Sequence, residues 1–123
     1  MSSKVLIVDD TRVMRNLMKD ILTASGDCQV IGEATNGKEA IEQYTKLQPD
    51  IVVIDIVMPV MDGIEATKEI LKMDPLARIV TCSAVGQESL VMESIAAGAR
   101  DFILKPFAAE RVLKVIRQVL DHV

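Results

Sequence analysis

Five short apolar runs constrain the fold of this 123-residue chain more than any other feature. They lie at residues 5–8, 30–31, 51–54, 79–80 and 102–104. Polar residues do not alternate with apolar ones inside these runs, which is typical of strands that are covered on both faces. The sequence therefore predicts five strands of a parallel sheet that lies between two layers of helices.

Segments with helical spacing separate and follow the runs. Their apolar positions recur three or four residues apart, as at Val13, Leu17 and Ile21 and again at Val112, Val115, Ile116 and Val119. Turn-forming residues mark the boundaries, at 26–27, 36–37, 48–50, 62–63, 74–75 and 98. Five strand–helix repeats predict an α/β protein with a doubly wound sheet, whose ligand crevice lies at the carboxyl ends of the strands.

Size, charge and cysteine usage restrict the class of protein. A chain of this length fits one domain, which we expect to span residues 1–123 and to be a monomer. The net charge of −4, without a cluster of Lys and Arg, argues against DNA binding. Cys28 and Cys82 lack the spacing of a disulfide framework or a zinc site. The first apolar run is too short for a signal peptide or a membrane span, so we expect a cytoplasmic protein without a membrane partner.

Polar residues follow four of the five predicted strands. Asp9 and Asp10 follow the first strand, Asp55 the third, Ser83 the fourth and Lys105 the fifth. Three carboxylates at one sheet edge repel one another, and a divalent cation relieves that repulsion, with Mg²⁺ the natural candidate. Lys105 adds a positive charge and Ser83 a hydroxyl donor, so the set could hold a phosphoryl group beside the metal, with a carboxylate as nucleophile.

All of these residues except Asp55 also have a simpler interpretation. Asp9 and Asp10 could serve as helix caps, because acidic residues favour the first turn of a helix. Lys105 could be an ordinary solvated surface charge, and Ser83 an ordinary hydroxyl at a strand end. The combination of all of them favours the phosphoryl site.

Four short motifs resemble those of the response-regulator receiver family. They are Asp9-Asp10 after the first strand, DIVMPVMDG at residues 55–63, CSA at 82–84 and KPF at 105–107. Their order and intervals match the family over the whole chain, and the chain is most similar to its single-domain chemotaxis members. The resemblance implies a flavodoxin-like (βα)5 fold with strand order 2-1-3-4-5.

The resemblance also implies a metal site and a phosphorylation site. Asp55 would become 4-aspartylphosphate, and Mg²⁺ would be bound by Asp10, Asp55 and the backbone carbonyl of Val57. Asp9 would contact the ion through a water molecule.

Further roles follow from the same resemblance. Ser83 would contact the phosphoryl oxygens, Lys105 would pair with Asp55 or its phosphoryl group, and Phe102 would be the aromatic switch residue. The peptide bond from Lys105 to Pro106 would be cis.

The activity implied is that of a stand-alone signalling protein. It would accept a phosphoryl group from a chemotaxis-type histidine kinase and catalyse only its own phosphorylation and dephosphorylation. The face formed by the fourth helix, fifth strand and fifth helix would then bind a motor switch or adaptor protein, and a phosphatase is a further expected partner. Residues 87–99 carry more apolar side chains than one buried helix face needs, so part of that helix is either exposed or covered by a second neighbour.

Two features depart from the best-known pattern of the family. Phe102 stands where a tyrosine is usual, so no phenolic hydroxyl is available to a partner. Val57 and Val85 are both aliphatic, and they either restrict the hydrolytic water or cap the pocket.

Three other functions share part of this sequence pattern. A phosphorelay intermediate, which passes its phosphoryl group to another histidine protein, has nearly the same sequence signature. A phosphoaspartate hydrolase usually carries a second aspartate two residues after its nucleophile, where this chain has Val57. Nucleotide or flavin binding would need a glycine-rich loop after the first strand, where this chain has Asp9, Asp10, Thr11 and Arg12.

Overall fold

The sheet is parallel and its strands run in the order β2-β1-β3-β4-β5. The computed structural model describes residues 2–121. The elements along the chain are β1 (Ser3–Val8), α1 (Arg12–Ser25), β2 (Cys28–Ala34), α2 (Gly37–Leu47), β3 (Ile51–Asp55), α3 (Gly63–Met73), β4 (Ile79–Ser83), α4 (Glu88–Ala96), β5 (Asp101–Leu104) and α5 (Ala109–Asp121). The predicted doubly wound, flavodoxin-like α/β fold is confirmed.

Two apolar cores lie on opposite faces of the sheet, because successive strand residues point to opposite sides. One face packs against Met18 and Leu22 of α1 and against Val112, Val115, Ile116 and Val119 of α5. The other packs against Ala40 and Tyr44 of α2 and against Ala66 and Ile70 of α3. β3 and β4 are buried throughout, whereas the edge strands β2 and β5 are partly exposed, since each has a neighbour on one side only.

Side-chain caps begin three of the helices. Thr11, Asn36 and Asp62 accept hydrogen bonds from backbone N–H groups three residues later, as N-cap residues of α1, α2 and α3. The N-cap of α1 is thus Thr11, and neither Asp9 nor Asp10 takes that position. No helix within residues 2–121 is long and apolar enough to cross a membrane.

Val60 lies in a strained turn between β3 and α3. Its φ is 69°, in the left-handed region that a β-branched residue rarely adopts. The N–H of Met61 donates to the carbonyl of Pro59 at 2.7 Å, which closes a three-residue turn around Val60. The Met61 carbonyl in turn accepts the N–H of Gly37 at 2.8 Å, so α2 holds the turn in place.

Replacing Val60 with glycine is expected to raise the free energy of unfolding by about 1 kcal/mol. Glycine relieves roughly 1–2 kcal/mol of left-handed strain, and its greater freedom in the unfolded chain offsets part of the gain. Urea denaturation measures the difference. Val85→Gly is the matched control, because Val60 and Val85 are both 79% exposed and only Val60 has a positive φ. If both variants lose the same stability, the turn is not strained.

Candidate functional site

An acidic cluster forms where β1 and β3 end side by side. One carboxylate oxygen from each of Asp9, Asp10 and Asp55 lies within 4.8 Å of the others. Asp9 and Asp55 are buried, at 4% and 6% exposure, while Asp10 is exposed. Carboxylates packed this closely repel one another, so the cluster could hold a divalent metal ion.

Lys105 inserts a positive charge into this cluster. It follows β5, and its Nζ donates to Asp55 Oδ2 at 2.9 Å and to Asp9 Oδ2 at 3.0 Å. The formal charges of three aspartates and one lysine sum to −2, which matches the charge of a divalent cation. The peptide bond from Lys105 to Pro106 is cis, as predicted.

The pKa values of Asp55 and Lys105 both shift at this site. Burial raises the pKa of Asp55 above its ordinary value, and the hydrogen bond from Lys105 only partly opposes this rise. Burial lowers the pKa of Lys105, but its hydrogen bonds to Asp55 and Asp9 outweigh that effect and raise it overall. Lys105 therefore stays charged at neutral pH.

The carboxylate of Asp9 already accepts three hydrogen bonds from other residues of the protein. Its Oδ1 accepts the Thr11 N–H at 2.9 Å and the Thr11 hydroxyl at 3.1 Å, and its Oδ2 accepts from Lys105. Asp10 is the freer of the two to bind a metal directly. This difference is consistent with the prediction that Asp9 contacts the ion only through water.

Ser83 contributes a buried hydroxyl without a partner. It ends β4 and is fully buried, and its Oγ makes no hydrogen bond to the described residues. Its strand neighbour Cys82 pairs with Asp55, so Ser83 lies at the same edge of the sheet as the acidic cluster. An unsatisfied buried hydroxyl costs about 1–3 kcal/mol, which makes Ser83 a donor that fits a ligand such as a phosphoryl group.

Gly63 brings the start of α3 directly behind Asp55. Its N–H donates to the carbonyl of Ile56 at 2.8 Å, and a Cβ at this position would overlap the carbonyl oxygen of Asp55. The loop between them carries Val57, which is half-exposed two residues after Asp55. In the sequence, Asp62-Gly63 marks a turn and ends the motif at residues 55–63, but neither feature alone indicates this close approach to Asp55.

The predicted output face carries exposed apolar side chains. Met92 and Ile95 of α4 are 70% and 41% exposed, and Leu104 of β5 is 49% exposed. Phe102 is half-buried and packs against a small cluster of Ile56, Ile64 and Val91. Because Ile56 adjoins Asp55 in sequence, this cluster links the crevice to α4. The guanidinium of Arg111 lies 5.9 Å from the centre of the Phe102 ring.

A buried hydroxyl pair that the sequence analysis missed joins β4 to α4. The Oγ1 of Thr81 and the Oγ of Ser94 are 2.9 Å apart, and Ser94 donates to the carbonyl of Val91 at 2.8 Å. Both hydroxyl-bearing residues are fully buried. The signal in the sequence was Ser94, which lies three residues after Val91 and next to Ile95 in α4. The pair ties α4 to the strand that carries Ser83 two residues later.

Comparison with known proteins identifies relatives of the chain. A family model described as the response regulator receiver domain matches residues 5–117. The chemotaxis protein CheY of Thermotoga maritima is 56% identical over 119 residues, which cover 97% of this chain and 98% of the relative. CheY of Bacillus subtilis is 52% identical over 121 residues, covering 98% and 100% respectively.

Solved structures of chemotaxis proteins are also similar to this chain. The response regulator domain of Thermotoga maritima CheB has a TM-score of 0.92 at 36% identity, covering 100% of this chain and 99% of that one. A chain of the CheX-CheY-BeF3-Mg complex of Borrelia burgdorferi has a TM-score of 0.89 at 38% identity, covering 95% and 88%.

Proposed function

Because the chain belongs to the response regulator receiver domain family and is closely related to CheY, we propose that it is a chemotaxis response regulator that is phosphorylated on Asp55. The observation that carries this proposal is the set of groups at one sheet edge. Asp55 is buried beside the Lys105 ammonium and within an acidic cluster, and an unpartnered Ser83 hydroxyl lies at the same edge.

The transfer needs positioning and charge neutralisation more than covalent assistance. Asp10, Asp55 and the carbonyl of Val57 would hold Mg²⁺, with Asp9 acting through a water molecule. When bound, the ion would neutralise charge on the phosphoryl oxygens. A carboxylate oxygen of Asp55 attacks phosphorus while the bond to the donor, a phosphohistidine or a small phosphate ester or anhydride, breaks. Lys105 adds its charge at Asp55, and the protein acts as a catalyst only on itself.

The signal would pass from Asp55 to the face formed by α4, β5 and α5. A phosphoryl group supplies acceptor oxygens for the Ser83 hydroxyl, which draws the end of β4 toward Asp55. Phe102 then turns inward against the Ile56, Ile64 and Val91 cluster. A switched face of this kind would bind a motor switch or adaptor protein, and the structure of the Borrelia burgdorferi relative in complex with CheX supports a protein partner.

Acetyl phosphate with Mg²⁺ is expected to add one phosphoryl group to the intact protein, read by mass spectrometry. Asp55→Asn should add none, because it removes the nucleophilic carboxylate. Asp62→Asn is the matched control, since it makes the same change in the same loop and asparagine keeps the N-cap of α3. A phosphoryl group gained by Asp55→Asn would place the site elsewhere.

A further inference from the structure

Arg15 of α1 joins the ends of β1 and β2 at the crevice. Its Nη1 donates to the backbone carbonyl of Asp9 at 2.7 Å, and its Nε donates to Oε1 of Glu33 at 3.1 Å. The Arg15 side chain is only 13% exposed. No sequence pattern indicates a role for Arg15, because the atom that it contacts at the crevice belongs to the backbone.

The bond to Asp9 controls the direction of the chain at the metal site. The carbonyl of Asp9 and the N–H of Asp10 belong to one planar peptide group, so a donor that holds the carbonyl also fixes the plane that leads to Asp10. The N–H of Asp9 donates to the carbonyl of Ala34 in β2 at 3.1 Å. Asp10 lies beyond the last paired residue of β1, and the orientation of this peptide plane decides where it points.

Glu33 in turn holds the guanidinium of Arg15. Its Oε1 accepts from Arg15, and its Oε2 pairs with Lys19 at 2.7 Å. The hydrogen bond from Lys19 and the charge of Lys19, with a smaller contribution from Arg15, outweigh partial burial and lower the pKa of Glu33. Glu33 is therefore ionised at neutral pH and keeps Arg15 oriented toward Asp9.

We propose that Arg15 is a positioning residue for the metal site, which acts by holding the peptide plane that carries Asp10. This inference rests on the proposed function, since it assumes that the acidic cluster binds Mg²⁺. The effect of this positioning role on Mg²⁺ affinity is opposite to the effect that the charge of Arg15 alone would have. A positive charge near a cation site repels the cation, so charge alone predicts that removing Arg15 tightens Mg²⁺ binding, whereas positioning predicts that it weakens binding.

The test is a calorimetric titration of Mg²⁺ into the full chain and two variants. Arg15→Met is expected to raise the Kd for Mg²⁺ about tenfold or more, as is typical when an outer partner of a metal ligand is lost. Lys19→Met is the matched control, because it removes the same charge from the same carboxylate and leaves the bond from Arg15 to Asp9. Its Kd should stay unchanged or fall slightly.

Phosphorylation by acetyl phosphate supplies a second readout. In Arg15→Met the Mg²⁺ concentration for half-maximal rate should rise in proportion to the Kd, while the rate at saturating Mg²⁺ stays near that of the parent. A merely structural defect would lower the rate at saturation too. Arg15→Lys can still donate one hydrogen bond, and it should recover part of the lost affinity.

Three outcomes would overturn the inference: an Arg15→Met protein that binds Mg²⁺ as tightly as the parent, one that binds it more tightly, or equal weakening in Lys19→Met. If Arg15→Met does not fold, Arg15→Gln is judged by the same criterion. Failure of the parent itself to bind Mg²⁺ would instead refute the proposed metal site, so the two failures are distinguishable.

Discussion

Replacing Lys105 with methionine is expected to lower the free energy of unfolding by about 3 kcal/mol at neutral pH without metal. The substitution leaves the side chains of Asp9 and Asp55 without their common partner, and those side chains are only 6% and 9% exposed. Urea denaturation measures the loss. Lys72→Met is the control, since Lys72 pairs with Glu69 on the surface of α3 at 72% exposure and should cost less than about 0.5 kcal/mol.

The pH dependence of this loss follows from the raised pKa of Asp55. A carboxyl group with a raised pKa in the folded state stabilises the protein fully below its ordinary pKa, and that contribution is lost as pH rises through the raised value. Replacing Lys105 removes the hydrogen bond that opposes the rise in the pKa of Asp55. The pH range over which this contribution to stability is lost therefore moves to higher pH. The difference between Lys105→Met and the parent should therefore shrink as pH falls from neutral toward the ordinary carboxyl range. A difference that is constant over this interval would show that lost packing, not lost charge, causes the effect.

Replacing Ser83 with alanine is expected to change stability and signalling in opposite directions. In the metal-free protein the variant should be more stable by about 1 kcal/mol, because it removes a buried hydroxyl that has no partner. With Mg²⁺ and beryllofluoride, a mimic of the phosphoryl group, most of the remote response should disappear. The response is followed by backbone amide shifts at Val91, Ile95, Phe102 and Leu104, while shifts at Asp10 and Asp55 should persist.

Ser94→Ala provides the matched control for this experiment. It makes the same substitution at another fully buried serine, but the Ser94 hydroxyl is bonded to Thr81 and to the Val91 carbonyl. Ser94→Ala should lower stability by about 1 kcal/mol, because it leaves the Thr81 hydroxyl unsatisfied. Remote shifts that persist in full in Ser83→Ala would rule out this serine as the carrier of the signal, and their absence in the parent would rule out the proposed output face.

The fold was predictable because its signals are local. Apolar runs and turn residues indicated all five strands. The predicted bounds of the strands and helices were less accurate. β2 spans Cys28–Ala34 rather than the two apolar residues at 30–31, since an edge strand tolerates polar residues such as Gln29 and Glu33. The predicted helix at 87–99 ends earlier, at Ala96, because Gly98 adopts a φ of 116° and turns the chain toward β5.

The sequence predicted those site residues that directly follow a strand. Asp9, Asp55 and Lys105 are brought together by the sheet order, which their place after a strand predicts. The bond from Arg15 to a backbone carbonyl and the pair of Thr81 and Ser94 depend on how helices pack against strands. Such contacts join residues distant in sequence, and no local pattern of residue types reports them.

The ion pairs of Lys105 also make the crevice a late product of folding. They join positions 96 and 50 residues apart along the chain, to Asp9 and Asp55 respectively. Closing loops of this length is entropically costly, and contacts of high sequence separation form slowly. During synthesis the three carboxylates emerge from the ribosome well before the lysine that balances them. Only a nascent chain in which β5 has joined the sheet brings Lys105 to these carboxylates and carries the complete charge set.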